Sequence, residues 1–183
     1  MNYSVGCLPP KVDIRDYHYA KASAAALPDE FVLGWLPGVK DQGAVCSCVA
    51  HATSSILEYH AKQDNSSQKL STAFIYGIQK KVCGRDGSGM YLRDACKIVN
   101  LYGDMLESDC PGNREVPKAH AIAESAFNDD GKLSRAAFFK VLSYVKLRNN
   151  EEIKHALMNH GPVLASVKWF KTFECVDGKL TGE

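Results

Sequence analysis

Long apolar runs are missing: no stretch of this 183-residue chain approaches the roughly 20 consecutive apolar residues that a membrane-spanning helix requires. Runs of one charge are missing too. Lys and Arg total 22 against 21 Asp and Glu, a formal net charge of +1 with no polybasic stretch. That removes the electrostatic basis for nucleic acid or an anionic membrane as partner. No C-x-x-C pair occurs, and no Cys/His group has the spacing of a structural zinc site, so no metal is expected. There is no internal repeat and no low-complexity tract. The opening MNYSVGCLPPKVDIRDYHY is too polar and too broken by proline to read as a secretory signal. The protein either stays in the cytosol or has its export signal outside this chain, so its localisation stays open. Seven cysteines are an odd number, which leaves at least one thiol unpaired within the chain. Pairings such as Cys83–Cys110 remain open, because connectivity does not follow from sequence.

What remains is the make-up of an ordinary folded protein. Hydrophobic residues are 45% and charged residues 23%, enough to bury a core in one large domain or two small lobes. Residues 1–38 read as an extended, turn-rich lead-in. Pro9, Pro10, Pro28 and Pro37 interrupt any helix, with room for one turn or two in YAKASAAAL (19–27). From Ser47 the pattern changes. Ser47 is placed as an N-cap, and Val49, Ala52, Ile56 and Tyr59 recur at three- and four-residue steps, predicting a helix from about 48 to about 63.

Ser71 is placed to cap a second helix, with Phe74, Ile75, Ile78 and Val82 on one face. After the glycine-rich CGRDGSG, a third runs from about 91 to 102 on Leu92, Ala95, Val99 and Tyr102, and Gly103 stops it. Pro117 opens a short helix that ends at Phe127. The final third differs. FFKVLSYVKL (138–147) is β-rich. Asn150 is placed to cap a helix whose positive end carries Glu151 and Glu152 and whose stop is Gly161-Pro162. VLASVKWF (163–170) reads as a buried strand, and the Asp-Gly of VDGK turns the chain so that Leu180 begins another. Helices first and strands later predict an α+β protein: a lead-in over 1–38, a helical lobe over 39–135 and the start of an incomplete β lobe over 136–183.

The stretch KDQGAVCSCVAHA (40–52) places two cysteines at a helix start. They could ligate a metal with further donors, form a redox pair, pack as small hydrophobes, or include a nucleophile. A helix N-terminus presents unpaired N–H groups and a positive dipole end, which favours a thiolate. Cys48, as first helical residue, is the better nucleophile candidate. Gln42, six residues upstream, carries an amide NH₂ that pairs with the Cys48 backbone N–H as a two-donor oxyanion hole for acyl transfer.

VKDQGAVCSCVAHA resembles the active-site segment of the papain-like cysteine peptidases, V-K-D-Q-G-x-C-G-S-C-W-A-F-A. Gln42 falls on the family's oxyanion-hole glutamine and Cys48 on its nucleophile, with the spacing intact. Four further segments are similar to the family's in the correct order: LSTAFIY (70–76), GSGMYLRDA (87–95), YGDMLESDCP (102–111) and ALMNHGPVLASV (156–167). The lead-in, without a recognisable inhibitory propeptide, looks more like bacterial or viral members. The resemblance implies a two-lobe fold with a helical lobe and a β-barrel-like lobe, here incomplete. It implies hydrolysis of peptide bonds through an acyl-thioester on Cys48, with no cofactor. A peptide or protein substrate would lie extended along Gly89 and Met90, and Ser166 would sit by a side-chain pocket. The alternative is a catalytically inactive module of the same fold that binds peptide or another subunit.

Four departures matter. Val45 stands where the family has a disulfide cysteine, Cys46 replaces a glycine, and Val49 replaces a tryptophan. Cys46 is either a packing spectator or a thiol that oxidises with a neighbour. The fourth concerns the base. The family's histidine and asparagine follow the G-P-V strand, and none of the six histidines here matches that position. His51, one turn below the thiol, reads as structural. Of His155 and His160, one faces solvent and the other caps or packs, and His18 and His120 read as solvated. The expectation is that the catalytic histidine, the asparagine and the rest of the β lobe come from sequence beyond residue 183 or from a second chain.

Overall fold

In the computed structural model of this chain, residues 6–10, 12–14, 16–20, 27–85, 88–112, 116–167, 174–176 and 179–181 are described. The first helix, α1, spans Cys48–Gln63, as the pattern implies. Its inward face is rotated from the expected one. Val49, Ala50, Thr53, Ser54, Leu57, Glu58 and Ala61 are buried, whereas Ala52 is exposed and Ile56 and Tyr59 are only partly covered. The cause is three polar residues buried with partners. Thr53 Oγ1 donates to Val49 O at 2.8 Å, Ser54 Oγ donates to Asp104 Oδ2 at 2.8 Å, and Glu58 Oε1 accepts from the Leu70 N–H at 2.7 Å. Polar groups whose hydrogen bonds are met can be buried at little net cost, so apolar spacing alone does not orient this helix.

The second helical stretch divides at Ile78 into α2, Thr72–Gly77, and α3, Gln79–Cys83. Ser71 caps α2 as expected: its Oγ accepts from the Phe74 N–H at 3.1 Å and donates to the Cys110 carbonyl. Every residue of α2 is buried, and it forms the centre of the core, packed against α1, against α4 (Leu92–Leu101) and above all against α5 (Val116–Phe127). Gly103 ends α4 at φ +81°. Gly77 is where α2 and α5 touch. A Cβ there would overlap the Ala123 side chain and approach Ala119 O to 3.1 Å, with backbone on both sides to resist it. Gly77→Ala is therefore expected to destabilise the fold by about 3 kcal/mol, the upper end of ordinary overpacking. A thermal or urea melt measures it.

A helix that the sequence reading missed, α6, covers Asp130–Ala136. Asp129 caps it by accepting from the Lys132 N–H at 3.0 Å. The cap was legible, but Gly131 in the first turn hides the pattern. The expected strand over 138–147 is absent. A 3₁₀ turn, Ala137–Phe139, leads into irregular backbone whose Val141 and Leu142 carbonyls accept from Asn100 Nδ2 at 2.8 and 3.0 Å. Phe138 and Leu142 are 87% and 95% exposed, so strand-like composition meets no partner sheet.

The last helix, α7, is Asn150–His160; its cap is Asn149, one residue before the expected Asn150, accepting from the Glu152 N–H at 2.9 Å. The expected buried strand at 163–170 is not formed where the chain is described. Residues 163–167 have no ladder partner, and Ala165, Ser166 and Val167 are exposed; residues 168–170 lie outside the described residues. The final hairpin does form. Strand β1, Glu174–Val176, pairs antiparallel with β2, Lys179–Thr181, with Val176 opposite Lys179. Leu180 lies in β2 as expected, and the Asp-Gly turn residues 177–178 lie outside the described residues, as does most of the helical turn expected over 19–27.

Candidate active site

The turn before α1 is wound around Gln42. Gly43 takes φ +58° and its N–H donates to Asp41 Oδ1 at 2.9 Å. The Val45 N–H then returns to Gln42 O at 3.3 Å, and Gln42 Nε2 donates to Val45 O at 3.1 Å. A side-chain amide has two N–H hydrogens, so Val45 fixes the group with one and leaves the other for a second acceptor. Lys40 secures this turn from below. Its Nζ pairs with Glu58 Oε1 at 2.7 Å and donates to Leu70 O at 3.0 Å, tying the turn to α1 and to the residue before Ser71.

Ser47 precedes α1 at the cap position, but its hydroxyl makes no capping bond. It sits 3.4 Å from Val45 O and 3.2 Å from His51 Nδ1. No side-chain cap therefore takes the first N–H groups of α1, and Cys48, its first residue, stands where those groups favour negative charge. His51 Nδ1 lies 2.9 Å from Ser47 O. A carbonyl only accepts, so the proton sits on Nδ1, and burial followed by the Lys40 charge holds the ring's pKa below its ordinary value. His51 braces the approach to Cys48, the structural role its position implied.

Beneath this turn lies Asp104, fully buried, with Oδ2 on Ser54 and Oδ1 without a hydrogen-bond partner. Burial pushes its carboxyl well above the usual carboxylate range. The folded chain thus holds a proton that the unfolded chain releases. The resulting stability is full below the ordinary carboxylate pKa and is lost as pH rises through the raised folded value. Asp104→Asn, which keeps an oxygen for Ser54, is expected to raise Tm at pH 8 more than at pH 4.

Gly89, at φ +83°, and Met90, fully buried, form the edge expected to hold an extended peptide. The buried Tyr76 lies against this edge, where burial raises its hydroxyl's pKa and the Gly89 backbone opposes the rise. The chain's own N-terminal segment lies along it. Met90 N–H donates to Gly6 O at 2.7 Å and Leu8 N–H donates to Met90 O at 3.0 Å, a parallel bridge centred on Cys7. Gly6 lies against the thiol. A Cβ on it would stand 2.6 Å from Cys46 O and 2.9 Å from Cys48 Sγ, a fit open only to glycine. Cys7 Sγ donates to Leu8 O at 3.8 Å, with the exposed Ser166 near it. Cys48, Gly89, Met90 and Ser166 thus converge on one segment, residues 6–8, which sequence reasoning did not place. Its pairing is non-local, and only its extended Pro9-Pro10 character was visible.

Farther along, the same strap is pinned three times. Arg93 pairs with Asp13 at 3.0 Å and Asp16 at 2.5 Å, residues 17 and 19 pair with the backbone of Lys146, and Tyr19 Oη lies 2.7 Å from His155 Nδ1 and 3.1 Å from His160 Nε2. His155 is buried and His160 exposed, as expected of that pair. His18 has an exposed side chain. His120 is not solvated: Nδ1 donates to Gly77 O at 3.0 Å, its ring lies 5.5 Å from that of Tyr76, and the bond satisfies a carbonyl at the end of α2.

The family model for the papain family cysteine proteases matches residues 33–178. The chain belongs to the papain family. No curated protein sequence matches it. Among solved structures it is similar to xylellain, a cysteine protease from Xylella fastidiosa, at 24% identity and a TM-score of 0.70, covering 84% of this chain and 62% of that one. The likeness is one of fold, and the chain spans under two thirds of xylellain's length. Within the papain family frame, Cys7, Cys46, Cys48, Cys83, Cys96 and Cys110 are all free thiols here, so no Cys83–Cys110 bond is present. Burial pushes Cys83, Cys96 and Cys110 up to about 11, away from thiolate character at neutral pH.

Proposed function

We propose that this papain-family chain carries the nucleophilic portion of a cysteine endopeptidase. The observation that supports it is the turn 40–47, which holds the Gln42 amide on Val45 immediately before Cys48, at an uncapped helix start. Cys48 attacks the peptide carbonyl carbon, and the Gln42 amide with the Cys48 N–H receives the oxyanion. The amine leaves with a proton from a histidine, and water hydrolyses the thioester, returning the thiol. Peptide substrate takes the Met90 edge that residues 6–8 occupy, with Ser166 at the adjoining side-chain pocket. The helical lobe is residues 39–135, and a β lobe begun in 136–183 is completed by further sequence or by a second chain, which also supplies the histidine and asparagine. Incubation with a fluorogenic peptide library tests this. Cleavage that vanishes in Cys48→Ala is expected, and cleavage that survives that change contradicts it.

A second reading, a peptide-binding module of the same fold without catalysis, draws support from the histidines. His51, His120, His155 and His160 each bond to a partner other than Cys48. Peptides bound tightly and recovered intact would favour it.

A further inference from the structure

We propose that Tyr19, His155 and His160 form a binding site for a zinc ion, which ties the N-terminal strap to the end of α7. The site lies outside the Cys48 cleft and is independent of whether this chain cleaves peptides.

The three donors already meet. His155 Nδ1 stands 2.7 Å and His160 Nε2 3.1 Å from the same atom, Tyr19 Oη. One hydroxyl proton serves only one ring nitrogen, so the other ring turns its own N–H to the oxygen. A zinc ion replaces both of these shared protons with bonds of its own. At about 2.0–2.2 Å from nitrogen and oxygen, tetrahedral ligands stand roughly 3.3–3.5 Å from one another. The two contacts therefore open by less than about 1 Å, which the exposed His160 absorbs by turning its side chain. Its open side leaves the fourth position to water.

The donors are held before any ion arrives. Residue 19 is fixed by its N–H on Lys146 O at 3.2 Å. His155 is buried, and its carbonyl accepts from Asn159 Nδ2 at 2.8 Å. His160 is the last residue of α7, where the carbonyl end of the helix favours a cation. Among the described residues no three His, Cys, Asp or Glu side chains gather for a metal, so the set is completed by a phenol. The expectation of no metal rested on ligand spacing along the chain, and these donors come together only in the fold. Two imidazoles and one oxygen anion suit zinc, whereas magnesium and calcium take oxygen ligands. On binding, the phenol proton leaves to solvent. The ring N–H moves to the other nitrogen of its ring by exchange with water, so one proton is released per ion.

The test is titration of the full chain with zinc chloride at pH 8, its accessible thiols first blocked with iodoacetamide, followed by ultraviolet difference spectra. One zinc per chain is expected, with the absorbance of one ionised phenol growing in and reversed by a chelator. Tyr19→Phe keeps the ring but is expected to lose that absorbance entirely and to weaken binding at least tenfold. His160→Ala, at an exposed position, is expected to weaken binding at least tenfold as well. His18→Ala, also exposed and next to Tyr19, should bind as the unaltered chain does. Magnesium chloride should raise no phenol signal. Zinc bound without an ionised phenol, a phenol signal that survives Tyr19→Phe, undiminished binding in His160→Ala, or no zinc bound at all overturns the proposal.

Discussion

Gly6→Leu is expected to raise the rate at which iodoacetamide alkylates Cys48 by tenfold or more. The thiol is covered by backbone at Gly6, where even a Cβ would press on Cys46 O at 2.6 Å and Cys48 Sγ at 2.9 Å. Overpacking of about 1–3 kcal/mol, placed on the closed state alone, lowers its population by roughly 5- to 150-fold. Neither neighbour yields, since one is a main-chain carbonyl at the start of α1 and the other is the first residue of that helix. Gly89→Ala should act from the opposite side, because its Cβ would meet Gly6 O at 2.9 Å and its φ is +83°. Tm should stay nearly constant in Gly6→Leu, as the strap keeps its anchors at Arg93 and Lys146. Unchanged alkylation of Cys48 in both variants would mean that residues 6–8 do not cover the thiol in solution.

On the proposed function, Gln42→Ala is expected to lower kcat by about 10²–10³, the usual loss for one oxyanion donor, with KM little changed. Gln42 is held through Val45 O and through a turn that Lys40 ties to Glu58, so its amide is fixed before substrate arrives. A loss confined to KM would place Gln42 in substrate binding instead. Gln42→Glu should lose as much, because a carboxylate offers no N–H and repels the oxyanion.

The start of α1 was legible because the Gly43 turn and the change of pattern at Cys48 are local signals, although Ser47 holds the cap position without making the expected cap bond. The helix face was not, since Ser54 and Glu58 are buried by partners 50 and 12 residues away, Asp104 and Leu70. Residues 138–147 misled for the converse reason. Their aromatic and branched side chains suit a sheet, but among the described residues only Lys146 finds a bridge partner, His18. Asn149 displaced Asn150 as cap because either asparagine satisfies the rule, and only backbone geometry chooses. The likeness of GSGMYLRDA to a substrate edge was readable. That residues 6–8 lie along that edge was not, because a two-bond ladder between Cys7 and the distant Met90 leaves no periodic mark.

The central claim is that Cys48 is an activated nucleophile, and one measurement bears on it most directly: the second-order rate of its alkylation by a peptidyl epoxide, with the labelled residue located by mass. The account predicts single-site labelling at Cys48, far faster than free cysteine reacts, and faster still in Gly6→Leu. Labelling no faster than free cysteine, in a protein whose cleft that substitution has opened, would contradict it.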